Sequence, residues 1–166
     1  MTYEVATPYI RSLHFGTVSR PRRHHDAHPR EVFLELVWGV SEGRWDDLPE
    51  LYADQTCVEH PFAPHGDKPL RTREELREHF SAGKRMPPLR QEPANITVHE
   101  TTDPEVIIGE FEYRGTTENG TSFQVPCIFV LRVRDGKIVA SRDYIDHISS
   151  ARRRGALDEL IDTIRT

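Results

Sequence analysis

At 166 residues the chain is long enough for one domain whose core needs neither disulfides nor metals. Its 22 Lys and Arg against 27 Asp and Glu, a formal net charge of -5, offer no global attraction to nucleic acid or to an anionic membrane surface. Two cysteines, Cys57 and Cys127, far apart and without C-x-x-C spacing, exclude a disulfide scaffold and fit a reducing compartment. The N-terminus MTYEVATPYIRSLHFG lacks the apolar core of a signal peptide, and no run approaches the roughly 20 apolar residues of a membrane span. The expectation is therefore a cytoplasmic protein with no nucleic-acid or membrane partner.

Residues 1–28 read as an N-terminal arm or disordered tail ahead of a single domain over 29–166. The arm carries the basic, His-rich run RPRRHHDAH. His24, His25 and His28 are a loose cluster of the kind that is usually solvated, and no metal site is expected. From Pro29, apolar residues Val32, Phe33, Leu36, Val37 and Val40 recur at helical spacing, with Pro29 placed for a first turn and Gly43 for a stop. Asp47 and Glu50 have capping-box spacing at the head of a second, shorter helix reaching about Ala53. Thr56 to His60 reads as a strand. Thr72 and Glu75 form another capping-box pattern, opening a helix whose apolar face carries Leu76 and Phe80, with His79 sharing it. After Pro87 and Pro88 come four strand-like runs, NITVHET, EVIIGEFEYRG, SFQVPCIFVLRV and KIVASRDYIDH. The last three are joined across Asn119-Gly120 and Asp135-Gly136, dipeptides that supply the positive φ of tight turns. Residues 151–166 close with a short helix, apolar at Leu157, Leu160, Ile161 and Ile164.

Helices first and an antiparallel meander afterwards make an α+β protein: a cone-shaped curved antiparallel sheet packed against N-terminal helices. Such a cone can hold a small ligand. Strand alternation puts Ser141, Asp143, Ile145 and His147 on one face and Arg142, Tyr144 and Asp146 on the other. It puts Glu110, Glu112 and Arg114 opposite Ile107, Phe111 and Tyr113, the two glutamates reading as a solvated or dimer-facing strand face, and makes Phe123, Val125, Cys127, Phe129 and Leu131 one apolar row. A carboxyl beside such a row is costly to bury unless paired, hydrogen-bonded or protonated.

That cost points to chemistry. Burial moves a carboxyl toward neutrality, where imidazole already titrates, so the two together can take a proton from one atom and return it to another. Asp143 and His79 are the candidate pair, and His60, in VEHPFAP, is the candidate third member. For each a structural role stands beside the catalytic one: a satisfied core histidine for His79, a salt bridge with Arg142 for Asp143, packing and capping for His60. Asp146-His147 reads as a surface or capping pair. Phe62, Phe80 and Phe129 are candidates for shaping the cavity or for plain core. Neither a phosphate-binding glycine loop nor a ligand set with metal spacing is present, so no cofactor is expected.

The segments LYADQTCVEHPFAP, the capped helix after it, and the meander ending DGKIVASRDYIDH resemble the nuclear transport factor 2-like superfamily, and within it the SnoaL-like group of polyketide cyclases and small isomerases. The resemblance covers about 29–150 and implies a cone with a pocket between sheet and helices, in a homodimer packed through the sheets. Ketosteroid isomerase has its general base where this chain has His60, but its two oxyanion donors match Leu36 and Ile128 or Phe129. Limonene epoxide hydrolase places its catalytic acid at Asp143 and its other aspartate at Glu112, with Glu110 standing where its arginine should be. The phenazine-biosynthesis A/B family is similar over HETTDPEVIIGEFEYRG, with its catalytic glutamate at Asp143 and its catalytic histidine at His79.

The function these readings imply is a cofactor-independent acid/base enzyme, a cyclase, isomerase or dehydratase acting on a small, largely apolar, carbonyl-bearing metabolite. Asp143, His79 and His60 would be catalytic, and Phe62, Phe80, Glu112 and Phe129 would contact the substrate. An epoxide hydrolase or epoxide-opening cyclase is one rival. A non-catalytic ligand-binding or protein-interaction module is the other.

Overall fold

A computed structural model describes residues 27–64, 66, 68–85 and 90–165. The elements are α1 (Pro29–Glu42), a 3-10 turn (Leu48–Leu51), β1 (Gln55–Glu59), β2 (Leu70–Thr72), α2 (Arg73–Gly83), β3 (Arg90–Glu100), β4 (Val106–Thr116), β5 (Ser122–Arg134), β6 (Lys137–Ile145), α3 (His147–Arg154) and α4 (Leu157–Arg165). The arm expected over 1–28, with His24 and His25, lies outside the described residues except for its last two. Of these, His28 is the N-cap of α1: its Nδ1 accepts from the Arg30 amide while Glu31 reaches back to the His28 amide.

Six strands form one sheet in the order β2-β1-β6-β5-β4-β3. The meander β3 to β6 is antiparallel throughout, and β1 joins β6 in parallel. α1 lies across one face, its Val32, Phe33, Leu36 and Val37 buried against inward residues of β4 and β5. Phe33 fits because Gly109 opposes it: a Cβ there would stand 2.3 Å from the ring. Tyr113 fastens the same layer, donating its hydroxyl to the Val37 carbonyl at 3.1 Å. Asp135 (φ 51) and Gly136 (φ 70) make the β5–β6 turn with both residues left-handed, as two-residue hairpins require.

Several local expectations are corrected. The second helix is a single 3-10 turn, and Asp47 makes no side-chain cap bond: the Tyr52 amide closes onto the Pro49 carbonyl and the chain leaves extended. β3 begins at Arg90, five residues before Asn95, because the far half of β4 pairs with it from Thr116 inward; Asn95 itself is a bulge at φ 53. The terminal helix is two helices, broken at Gly155 (φ 69). Asp146 caps the first, accepting from the Ser149 amide at 2.9 Å, the capping role its position suggested.

Candidate active site

The site is built where β6 passes between β5 and β1. Strict alternation from the buried Ile138 would turn Arg142 inward and Asp143 outward. The β5–β6 register slips by one between Arg132↔Ala140 and Val133↔Ile138, and the extra residue flips the parity. Ile138, Ser141 and Asp143 therefore all face the interior, where Asp143 is 6 % exposed and Ser141 2 %. Arg142 is exposed on the other face, so no buried salt bridge between these neighbours accounts for the carboxylate.

A buried carboxylate needs hydrogen bonds. The Ser141 hydroxyl donates to Asp143 Oδ1. Around them the wall is aromatic and apolar. Asp143 pairs with Phe129 across the β5–β6 ladder, and Phe129 meets Phe111 edge-on at 5.0 Å, with Phe111 in turn edge-on to Tyr113 at 5.2 Å and Phe33 at 5.7 Å. The charge of Asp143 is felt by the buried groups around it. Burial, with Asp143 adding, holds the Tyr52 phenol well above the ordinary tyrosine range. Burial likewise raises the Tyr113 phenol, and it pushes the Cys127 thiol up to about 12.

β1 brings the first imidazole. Val58 stands beside Ser141 and Glu59 beside Arg142 in the parallel ladder, so the next step of that register sets His60 beside Asp143, on the inward parity of Thr56 and Val58. α2 brings the second. Its capping box is formed, Thr72 accepting from the Glu75 amide at 3.2 Å and Glu75 from the Thr72 amide at 3.1 Å. Leu76 and Phe80 are its buried face. Contrary to the expectation from spacing, His79 does not share that face; it lies on the exposed shoulder, where its ring stacks on His60 with centroids 5.5 Å apart and planes inclined 27°. His79 thus joins the site through His60, and Phe80, 5.4 Å from it and 6.1 Å from Tyr52, packs beneath both.

Two expected contacts do not face the interior around Asp143. Glu112 lies on the outer face of β4 with Glu110, paired with Arg114 at 2.5 Å and accepting from Asn95 at 2.6 Å. Its strand parity is opposite to that of Phe111, so it cannot converge with Asp143, and the two-carboxylate arrangement of an epoxide opener is not formed. Phe62 is 67 % exposed and meets the outward-facing Tyr144 at 5.1 Å. Past Pro61 the chain turns away from the interior, which carries that ring outside. Phe80 and Phe129 are buried members of the core cluster. Sequence patterning gives Ser141 and Tyr52 no functional role; the signal for Ser141 is its place two residues before Asp143, the spacing that sets two strand side chains side by side. Among the described residues, no group of three or more His, Cys, Asp or Glu is arranged to hold a metal. None of the described helices is long and apolar enough to cross a membrane.

Comparison with known proteins agrees with this architecture. The SnoaL-like domain model matches residues 33–141. An uncharacterised PhzA/B-like protein of Pseudomonas aeruginosa is 34% identical over 118 residues, covering 69% of this chain and 82% of that one. A crystal structure described as an isomerase from Bacillus subtilis superposes with a TM-score of 0.67 at 22% identity, over 77% of this chain and 93% of that chain. One described as a polyketide cyclase from Pseudomonas putida superposes with a TM-score of 0.62 at 14% identity, over 78% and 99%. At these identities the two structures establish the fold.

Proposed function

The chain belongs to the SnoaL-like domain family, and from that premise we propose that it is a cofactor-independent acid/base enzyme, a cyclase, isomerase or dehydratase acting on a small, largely apolar, carbonyl-bearing metabolite. The observation that carries this reading is Asp143: a carboxylate turned inward by a strand bulge, hydrogen-bonded to Ser141 and walled by aromatic rings, at the strand position that the β1–β6 register, continued one step past Glu59, brings alongside His60. A purely structural role would not call for a charge at that point, because an apolar side chain would fill the same space without the cost of desolvation.

In the proposed reaction Asp143 removes a proton from the carbon next to the substrate carbonyl. Isomerisation is completed when the proton returns to a different atom. Dehydration is completed when protonated His60 delivers a proton to the departing hydroxyl, which leaves as water. Cyclisation is completed when the carbanion attacks a second carbonyl carbon and His60 protonates the resulting alkoxide. His79, stacked on His60, positions that ring, and Ser141 positions the carboxyl. The protein is proposed to act as a homodimer through the outer face of the sheet, where Ile128 is 42% exposed and Phe62 packs on Tyr144.

The test is incubation of the purified protein with a panel of β-keto esters and related cyclisable ketones, without added metal or nucleotide, followed by NMR and mass spectrometry. Conversion that is lost in Asp143→Asn supports the enzyme. A protein that binds such compounds, converts none, and is unchanged in its binding partners by Asp143→Asn is a non-catalytic module.

A further inference from the structure

At the other end of the interior from Asp143, α3 turns a guanidinium inward. Arg153 follows the N-cap Asp146 by two helical turns, and its arginine neighbours Arg152 and Arg154 are both exposed. The Arg153 Cζ sits 5.3 Å from the centre of the Phe123 ring, Nη1 donates to Gln91 Oε1, and Nε is buried with no hydrogen-bond partner among the described residues. Neither Phe123 nor Gln91 carries a charge. Among the described residues no carboxylate pairs with Arg153, whereas the surface arginines Arg44, Arg73, Arg77, Arg132 and Arg134 each have one. Gln91 and Phe123 also line an open cavity of about 800 Å³, together with Arg90 and Arg114.

A half-buried cationic fork whose Nε is buried with a free donor is a binding site for a planar anion. Along β5 the inward row runs from Phe129, level with Asp143, through Cys127 and Val125 to Phe123, under Arg153. Both charges act on the same two groups in between. The Tyr113 phenol and the Cys127 thiol are each raised by Asp143 and lowered by Arg153, behind the larger effect of burial. Burial, then the neighbouring Arg154 charge, holds Arg153 down to about 10, which leaves it cationic at neutral pH.

We propose that Arg153 is the binding residue for a substrate carboxylate, so that the metabolite is an extended keto acid whose anionic end is held at Phe123 and whose enolisable carbonyl lies at Asp143. The Arg153 end of this proposal stands on its own geometry; only the identity of the other end rests on the acid/base reading above. The fixed anion would set which carbon reaches Asp143, a specificity that an apolar cone lacks by itself.

Two probes differing only in charge test it: benzoate and its neutral isostere benzamide, titrated into the isotopically labelled protein while the Gln91 side-chain amide is followed by NMR. Benzoate binding at least about tenfold more tightly than benzamide, as one charged hydrogen-bonded pair provides, with the preference lost in Arg153→Gln and partly kept in Arg153→Lys, supports the assignment. Equal binding of the two probes by the wild-type protein overturns it, whether or not Arg153→Gln folds, and so does a preference that survives Arg153→Gln. Asp143→Asn keeps the benzoate preference. If turnover persists in Asp143→Asn, the acid/base reading fails while the carboxylate site stands; if the probes bind equally but turnover is lost in Asp143→Asn, the reverse holds.

Discussion

The imidazole rings of His60 and His79 stack with their centroids 5.5 Å apart, one from the end of β1 and the other from the shoulder of α2. The contact ties the helical layer to the strand that runs beside Asp143. His60→Ala is expected to remove the second proton-transfer group and lower turnover about 10²-fold or more. His79→Phe keeps a ring for stacking and should retain most activity, whereas His79→Ala should lower it through a mispositioned His60. The double variant should be no slower than His60→Ala alone. Steady-state kinetics of the wild type and the four variants over a pH series check this, and independent, additive losses contradict it.

Ser141 holds one oxygen of Asp143. Ser141→Ala leaves that oxygen without its donor but deletes no acid/base group. The expected result is a loss about tenfold smaller than that of Asp143→Asn, accompanied by a displaced pH–rate profile and partly rescued by Thr. An unchanged profile would mean that the hydroxyl only fills space.

Gly109 gives Phe33 its place. Gly109→Ala puts a methyl 2.3 Å from a ring that is itself 0 % exposed, so the neighbour has nowhere to move. Destabilisation of about 1–3 kcal/mol is expected in urea unfolding monitored by circular dichroism.

Glu105 binds the guanidinium groups of Arg134 and Arg132 at 2.8 and 3.0 Å, which hold its carboxyl down to about 2 against an ordinary 4.5. Because the folded value is the lower one, this cluster stabilises the protein fully above about pH 4.5, and the contribution is lost as pH falls toward 2. The difference in Tm between wild type and Glu105→Gln should therefore be largest near neutrality and shrink on acidification. A difference that grows on acidification contradicts the assignment.

Cys127 is buried with its thiol pushed up to about 12, whereas Cys57 is half-buried. A thiol reagent at pH 8 should modify Cys57 first and Cys127 only after denaturant is added. Mass mapping of the labelled peptides distinguishes them.

The parts of the fold legible in the sequence are those set by local rules. α1 is announced by its spacing and by Pro29 and Gly43, the β5–β6 turn by Asp135-Gly136, and the inward side of β4 and β5 by alternation. The site was legible where those rules reach. Asp143 was placed inward by counting from Ser141, and the count holds because it starts after the bulge; started from Ile138 it would have chosen Arg142. What the sequence concealed depends on distant partners. The parallel pairing of β1 with β6, which sets His60 beside Asp143, joins segments about 80 residues apart, and nothing local encodes it. Glu112 was assigned by resemblance against its own strand parity, and parity prevailed. Arg153 sits in a run of three arginines that reads as a solvated helix end, and only the arrival of Gln91 and Phe123 from other strands separates it from its neighbours.

The account rests on Asp143 as the group that moves the proton. The most direct measurement is the rate at which the protein in deuterated water exchanges the hydrogen next to the carbonyl of a compound it turns over, compared between wild type and Asp143→Asn at matched melting temperature. The predicted result is exchange slower by about 10²-fold or more in the variant. Equal rates in the two proteins would contradict the account.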